Sequence, residues 1–421
     1  MSNSLGLYFN INTLKIKSEP AMNPIEHLLT KNVERVYPSR QELEAKLKQK
    51  TPLRVYLGVD PSSNKFHLGH AILLKKLAEF QKRGHETILL IGDFTGMIGD
   101  PTGKDRGRVP LTREQVLKNA KSYQRQAAKF LSFVGKNKTS IKYNSTWLDK
   151  LTLKEIVEIA SKFTVQQFLE RDMFQLRLKK GQPISLHEFL YPLLQGYDGV
   201  AMDVDVEIGG TDQTFNMLIG REMSKGKKVV LTTPLLAGTD GQKMSKIAGN
   251  TIAIEAPPAE MFGKIMSIKD ELISSYFDFL TVLEPEVLKG YKKSLQNKDY
   301  NPMKLKLLLA KEIVNSFYSE KQAQEALQEF QNVIQKGELP TNIPEITLTR
   351  PEETLTILEL VKLSALAPSN QAAYRLIEQG GVEIDGKIHS LPKKTFEIKQ
   401  ASTMLRVGKR SYLKINWGQK Q

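Results

Sequence analysis

Cysteine is absent from this 421-residue chain, tryptophan occurs twice and histidine six times. The missing thiols exclude a disulfide framework and leave zinc without its usual sulfur ligands, so no metal site is expected. No apolar run approaches the length of a membrane span. Residues 1–21 carry little charge and no arginine, so they resemble no transit peptide, and they show no secretory cleavage pattern. A cytoplasmic location is the expectation. No G-x-G-x-x-G fingerprint appears. The segment Gly99 to Asp105 falls one residue short of a P-loop, with Asp105 where serine or threonine belongs. Acidic residues are also scarce beside basic ones, 46 against 61, and the net charge of +15 directs attention to polyanionic partners. The length fits two or three domains.

The most informative stretch present is His67-Leu68-Gly69-His70. Before it, Arg54 to Asp60 read as a buried strand entering a turn rich in proline and serine. After it, the apolar periodicity from Ala71 to Arg83 predicts a helix that ends at Gly84. A helix start offers unpaired backbone N–H groups and a partial positive charge, and imidazoles on the first turn add donors for a triphosphate. A histidine pair at this spacing also occurs as a capped or solvated pair. Far along the chain, Gly238 to Ile247 form a glycine-bearing loop in which Lys243 and Lys246 flank Ser245. Alone, this loop could equally be a solvated turn.

The organisation around these segments is legible. Residues 40–50 read as a polar helix. Strand, helix and strand from Arg54 to Gly92 form one right-handed crossover unit. A helix is predicted over Arg113 to Phe133 and strands over Ser140 to Asn144 and Lys228 to Thr233. Ala201 to Ile208 alternate acidic and apolar residues, which predicts a strand whose Asp203, Asp205 and Glu207 form a polar face. Both signature loops then follow strands, at the carboxyl edge of a doubly wound parallel sheet. From Ala259 to about Lys336 the pattern is helical, with Leu305, Leu309, Ile313 and Phe317 on one core-facing side. Pro340, Pro344 and Pro351 mark a linker. Beyond it, Ser369 is placed to cap a helix running through Ala372, Leu376 and Ile377 to Gly380, and Asp385-Gly386 reads as a hairpin turn. The expected division is an N-terminal extension and helix over 1–34, a doubly wound domain carrying both loops over 35–250, a helical domain over 251–340, a linker over 341–354 and a small domain over 355–421. In the last, Lys393, Lys394, Lys399, Arg406, Lys409, Arg410 and Lys414 outnumber Glu397. Such a surface either follows a phosphate backbone or is simply solvated.

The histidine turn and the lysine loop, in this order and a domain apart, resemble the two signatures of the class I aminoacyl-tRNA synthetases. Tyr56, Tyr191, Gln195 and Asp198, with Gly99 to Lys104 and Gly209 to Gln213, are similar to bacterial tyrosyl-tRNA synthetases in particular. The likeness runs from about residue 25 to the end, and Met22 opens the more family-like start. It implies an α/β fold with a Rossmann-like doubly wound parallel sheet, followed by an α-helical anticodon-side domain and a small α+β RNA-binding domain. It implies an enzyme that joins L-tyrosine to AMP at the expense of ATP with Mg2+, releases pyrophosphate, and passes tyrosine to the 3′ end of tRNA(Tyr). It also implies a homodimer.

Carried over residue by residue, the resemblance assigns His67, His70, Lys243 and Lys246 to catalysis. It assigns Gly58, Asp60, His67, Gly69, His70, Lys104, Arg108, Lys243, Ser245 and Lys246 to ATP. Tyr56 and Asp198 go to the substrate hydroxyl, and Asp100, Tyr191, Gln195 and Gln213 to its ammonium group. RNA contacts fall to Lys393, Lys394, Lys399, Arg406, Lys409 and Arg410. Ile247 and Ala248 depart from the family pattern, as do Leu57 near the ribose and Thr214 after the Asp212-Gln213 pair, which bears on affinity rather than on the reaction. Two other readings stand beside this one: a tryptophanyl-type synthetase, which shares the fold, and a non-catalytic RNA-binding protein that kept it.

Overall fold

The computed structural model describes residues 23–49, 51–100, 111–244, 249–283, 285–296, 301–335, 343–349, 354–367, 369–398, 400–408 and 411–418. They fall into two compact units. The first comprises the described residues up to Pro257 together with Lys264–Ser319, the second Pro258–Gly263 and the described residues from Glu320 onward.

The first unit is built on a six-stranded sheet. Its strands are β1 (Arg35–Tyr37), β2 (Arg54–Val59), β3 (Glu86–Ile91), β4 (Ser140–Tyr143), β5 (Val206–Gly210) and β6 (Val229–Thr233). Their order is β1-β6-β5-β2-β3-β4, with β1 antiparallel to β6 and all the other pairs parallel. Helices on both faces bury the sheet twice over, which is why Ile88 to Ile91, Val206 to Gly210 and Val229 to Thr233 are all buried. The chain leaves β2 toward β3 on one side and returns to β5 on the other. The gap between the ends of β2 and β5 is therefore the switch point of the winding, where doubly wound folds bind their ligands.

Local sequence explains the helices that frame this gap. Helix Leu68–Lys82 starts on His67 and ends before Gly84, whose φ of 85° favours glycine. Helix Arg113–Ala127 opens with a reciprocal Thr112–Gln115 capping box. It stops short of the expected Phe133 because the backbone tightens into a turn, Phe130 N–H donating to Ala127 O at 2.9 Å. The stretch expected as one strand from Ala201 is split. Helix His187–Ala201 runs into it, Asp203 turns the chain at a φ of 48°, and β5 begins only at Val206.

The second unit holds helix Glu320–Gln335, against which Phe262 sets its ring at 5.4 Å from that of Phe330. It also holds strands β7 (Glu345–Leu348), β8 (Leu355–Thr356), β9 (Val382–Ile384), β10 (Lys387–His389), β11 (Thr395–Phe396), β12 (Ser402–Val407) and β13 (Ser411–Trp417). Five of these form a sheet in the order β10-β9-β12-β13-β7. Helices Ile357–Leu363 and Asn370–Glu378 share a core with it, through Leu360, Ile377, Ile384, Leu405 and Ile415. Ser369 caps its helix by accepting from Ala372 N at 3.1 Å, and Asp385 and Gly386 turn the β9–β10 hairpin with φ of 47° and 81°. Residues 345–348 correct the expectation of a linker over 341–354: they are an edge strand, parallel to β13. Pro344 immediately precedes β7, where its missing N–H costs the ladder nothing.

Candidate active site

The histidine turn stands at the carboxyl edge of β2. His67 is the N-cap of helix Leu68–Lys82, its Nδ1 accepting from Gly69 N at 3.2 Å, while His70 Nδ1 accepts from His67 N at 3.3 Å. The two rings thus make a capping box from imidazoles, with centroids 3.9 Å apart. A nitrogen that accepts an N–H carries no proton, so each neutral ring holds its proton on Nε2 as a donor. No acidic side chain lies in the first turn to compete with an anion for the helix end. Gly69 lies close under the His67 ring: a Cβ there would stand 3.0 Å from it, tighter than ordinary contact.

The lysine loop meets this turn. Leu68 N donates to Ile252 O at 2.9 Å and Ile254 N to Phe66 O at 3.1 Å, a short antiparallel ladder joining the segment after the loop to the histidine turn. From the loop, Met244 Sδ would stand 3.8 Å from a Cβ on Gly69. Lys243 is half exposed and pairs with Asp212, just beyond β5, at 2.8 Å. Asn250 braces the loop through Asp240 Oδ1 at 2.8 Å and Lys243 O at 3.1 Å. Lys246 and Ser245, with Lys104 and Arg108, lie outside the described residues.

A polar network in two parts joins residues that follow β2, β3, β4 and β5 to helix His187–Ala201. In the first, Tyr191 Oη donates to Asp60 Oδ2 at 2.8 Å, and Thr95 Oγ1 to Asp60 Oδ1 at 2.7 Å. Asn144 Nδ2 then donates to Thr95 Oγ1 at 2.9 Å and to Asp198 Oδ2 at 3.2 Å, and Trp147 Nε1 donates to Asp198 Oδ1 at 2.8 Å. In the second, Gln213 Nε2 donates to Asp100 Oδ2 at 2.7 Å, and Asn216 Nδ2 donates to Gln195 Oε1 at 2.8 Å and to Gln213 Oε1 at 3.2 Å. Gly58 is exposed at the end of β2. All six residues expected around the amino acid, Tyr56, Asp100, Tyr191, Gln195, Asp198 and Gln213, thus belong to the same first unit as the histidine turn.

Burial sets the ionisation of the deepest pair. It raises Asp198 well above the ordinary carboxylate range, against the hydrogen bonds from Trp147 and Asn144, which lower it. Burial, with the charges of Glu207 and Asp198, likewise raises the Tyr56 phenol, so its hydroxyl keeps its proton. Thr95, Asn144, Trp147 and Asn216 are absent from the sequence-based assignment. Trp147 is one of only two tryptophans, the one signal in the sequence that could have drawn attention to it.

In the second unit, Lys393 and Lys394 are exposed, as a phosphate-following surface requires. Arg406 instead pairs with Glu383, and Lys414 with Glu345 at 3.0 Å, so part of the expected positive charge is neutralised. Lys399, Lys409 and Arg410 lie outside the described residues.

The model of the class I tRNA synthetases for tryptophan and tyrosine matches residues 48–335. The chain is 50% identical over 382 residues to the tyrosine–tRNA ligase of Photobacterium profundum, covering 89% of this chain and 94% of that one. It is 46% identical over 386 residues to the tyrosine–tRNA ligase of Thermotoga maritima, covering 90% and 94%. A C-terminally truncated mitochondrial tyrosyl-tRNA synthetase of Aspergillus nidulans shares the fold with a TM-score of 0.61, at 22% identity, over 74% of this chain and 94% of that one. The chain belongs to the class I tRNA synthetases, and within them to the family of the bacterial tyrosine–tRNA ligases.

Proposed function

We infer that the protein is a tyrosine–tRNA ligase that activates tyrosine with ATP and transfers it to tRNA. The observation that carries the mechanism is the ladder between residues 66–68 and 252–254, which ties the lysine loop to the imidazole-capped helix. The amino-acid carboxylate, already an anion at neutral pH, attacks the α-phosphorus, so no general base is needed. The barrier is charge gathering on phosphate oxygens and on the departing pyrophosphate, and placed donors and cations lower it. His67 and His70 present Nε2–H to the phosphates. Lys243, released from Asp212, closes over the pyrophosphate with Lys246, Ser245 supports the loop, and Lys104 and Arg108 add positive charge. Gly58, Asp60 and Gly69 lie along the nucleotide. Mg2+ would come with ATP and would offset phosphate charge; no cluster of metal ligands is present among the described residues, and Mg2+ needs few protein ligands.

At the other end the substrate phenol donates to Asp198 and accepts from Tyr56. A site built this way rejects phenylalanine because buried polar groups are left unpaired, a rule for which tyrosine-specific synthetases are themselves a standard illustration. Asp100, Tyr191, Gln195 and Gln213 take the ammonium group. Lys393 and Lys394, with Lys399, Lys409 and Arg410, follow the tRNA backbone, while Arg406 is engaged by Glu383. A homodimer is supported by helix Leu153–Ala160, which buries none of its residues and leaves Leu153 and Val157 exposed. A cytoplasmic location fits translation, and no helix among the described residues is long and apolar enough to cross a membrane.

Amino-acid-dependent exchange of pyrophosphate into ATP tests the reading. Tyrosine should drive exchange and tryptophan should not. Exchange with tryptophan alone, or RNA binding with no exchange, would overturn it.

A further inference from the structure

Two buried charges lie under the phenol end of the site. Glu207, in β5, is 2% exposed, and its Cα pairs with that of Tyr56 across the parallel β2–β5 ladder, so the two side chains leave the sheet on the same face. The sequence pattern placed Glu207 on a polar strand face; instead both faces of β5 are covered. Lys228, just before β6, is fully buried and bonds to Glu207 Oε2. The same Nζ stands 6.0 Å from the centroid of the Tyr56 ring.

The fold keeps a passage open for this lysine. A Cβ on Gly199 would come 3.0 Å from Lys228 Nζ, and one on Gly220 would collide with it. Burying an ion pair in this way gains little stability, because desolvation consumes most of the attraction. Against that background one atom stands out. Among the described residues the buried Tyr56 hydroxyl makes no hydrogen bond of full geometry, although the Glu207 carboxylate, its neighbour across the ladder, is near enough to hold the phenol proton more tightly.

We propose that Lys228 is a specificity-determining positioning residue: by engaging Glu207 it withholds that carboxylate from Tyr56, so the phenol oxygen of the substrate is the acceptor left for the Tyr56 hydroxyl. The donor stays unspent until tyrosine arrives, and phenylalanine, which has no oxygen there, leaves it unspent. Without Lys228, Glu207 captures the Tyr56 proton and competes with the substrate. This deepens the tyrosine-ligase reading and rests on it.

The test uses the full-length protein, with exchange kinetics for tyrosine and phenylalanine. Lys228→Met should raise the KM for tyrosine by about 10- to 100-fold, the cost of losing one buried hydrogen bond, and shrink tyrosine-over-phenylalanine discrimination by a similar factor, with kcat nearly unchanged. Adding Glu207→Leu removes the competitor and should restore both the KM and the discrimination, an outcome that loss of a merely structural pair does not produce. If Lys228→Met does not fold, Lys228→Gln, which keeps one donor to Glu207, should show a smaller KM rise with the same rescue. Wild-type KM and discrimination in the single variant, or a defect that Glu207→Leu fails to rescue, overturns the proposal. Absence of tyrosine-driven exchange in the wild type would instead overturn the assignment of the site.

Discussion

The two ends of the site solve opposite problems. At the phenol end, Tyr56, Asp198 and Asn144 are buried, and hydrogen bonds from Asn144 and the partly buried Trp147 fix Asp198 in advance. At the phosphate end, the imidazoles are only partly buried and Lys243 is exposed on a loop, held by the single carboxylate of Asp212. Recognition of a neutral hydroxyl needs a dry site in which one lost hydrogen bond is expensive. Stabilising a charged transition state that must also release pyrophosphate needs cations that can come and go. One sheet supports both, with β2 and β5 as parallel neighbours.

Substitutions at the two ends should therefore separate in kinetics. The largest effect is expected for His70→Ala, which removes a donor used in the transition state. Single-turnover adenylate formation should slow about 10²- to 10³-fold while tyrosine affinity holds. Equal losses in both would erase the distinction between the ends. Asn144→Ala should do the reverse, raising the KM for tyrosine about tenfold or more as Asp198 loses a buried donor, with little change in kcat.

A smaller effect concerns pH. Burial lifts Asp198 above the ordinary carboxylate range, so on acidification it takes up a proton, and ceases to accept one from the substrate, at a higher pH than an exposed carboxylate would. The KM for tyrosine should rise as pH falls through that raised value, and Asp198→Asn should flatten the profile. The stability of the ligand-free protein runs the other way. The folded state binds this proton more tightly than the unfolded chain does, so the contribution is lost as pH rises through the raised value. A KM profile indifferent to Asp198→Asn would remove Asp198 from the phenol end. Smallest of all, deletion of residues 355–421 should leave tyrosine-driven exchange unaltered at both ends while weakening tRNA charging. Undiminished charging would detach the basic surface around Lys393 and Lys394 from RNA.

Features set by local chemistry could be read from the sequence. The strand entering Asp60, the Ser369 cap and the Asp385-Gly386 turn depend on a few consecutive residues, and the structure has them where the pattern places them. The phenol end depends on residues far apart in the chain, Asn144 and Trp147 after β4 and Asp198 on helix His187–Ala201, brought together only by the packing of that helix against the sheet's carboxyl edge. Glu207 was misread because alternation signals a half-exposed strand, whereas a central parallel strand is covered on both faces and can hold a charge if a partner such as Lys228 reaches it. β7 escaped notice because prolines around a four-residue edge strand look like a linker. Arg406 could not be told from a free cation until Glu383 was seen across the β9–β12 ladder.

The central claim is that the imidazole-capped helix and the lysine loop enclose one triphosphate while tyrosine fills the gap between β2 and β5. A crystal structure with tyrosine and a non-hydrolysable ATP analogue measures it directly. The account predicts His67 and His70 Nε2 within hydrogen-bond distance of phosphate oxygens, Lys243 moved from Asp212 onto the same phosphates, and the substrate hydroxyl between Tyr56 and Asp198. A triphosphate bound away from the histidine turn, or Lys243 still paired with Asp212 over an occupied site, would contradict it.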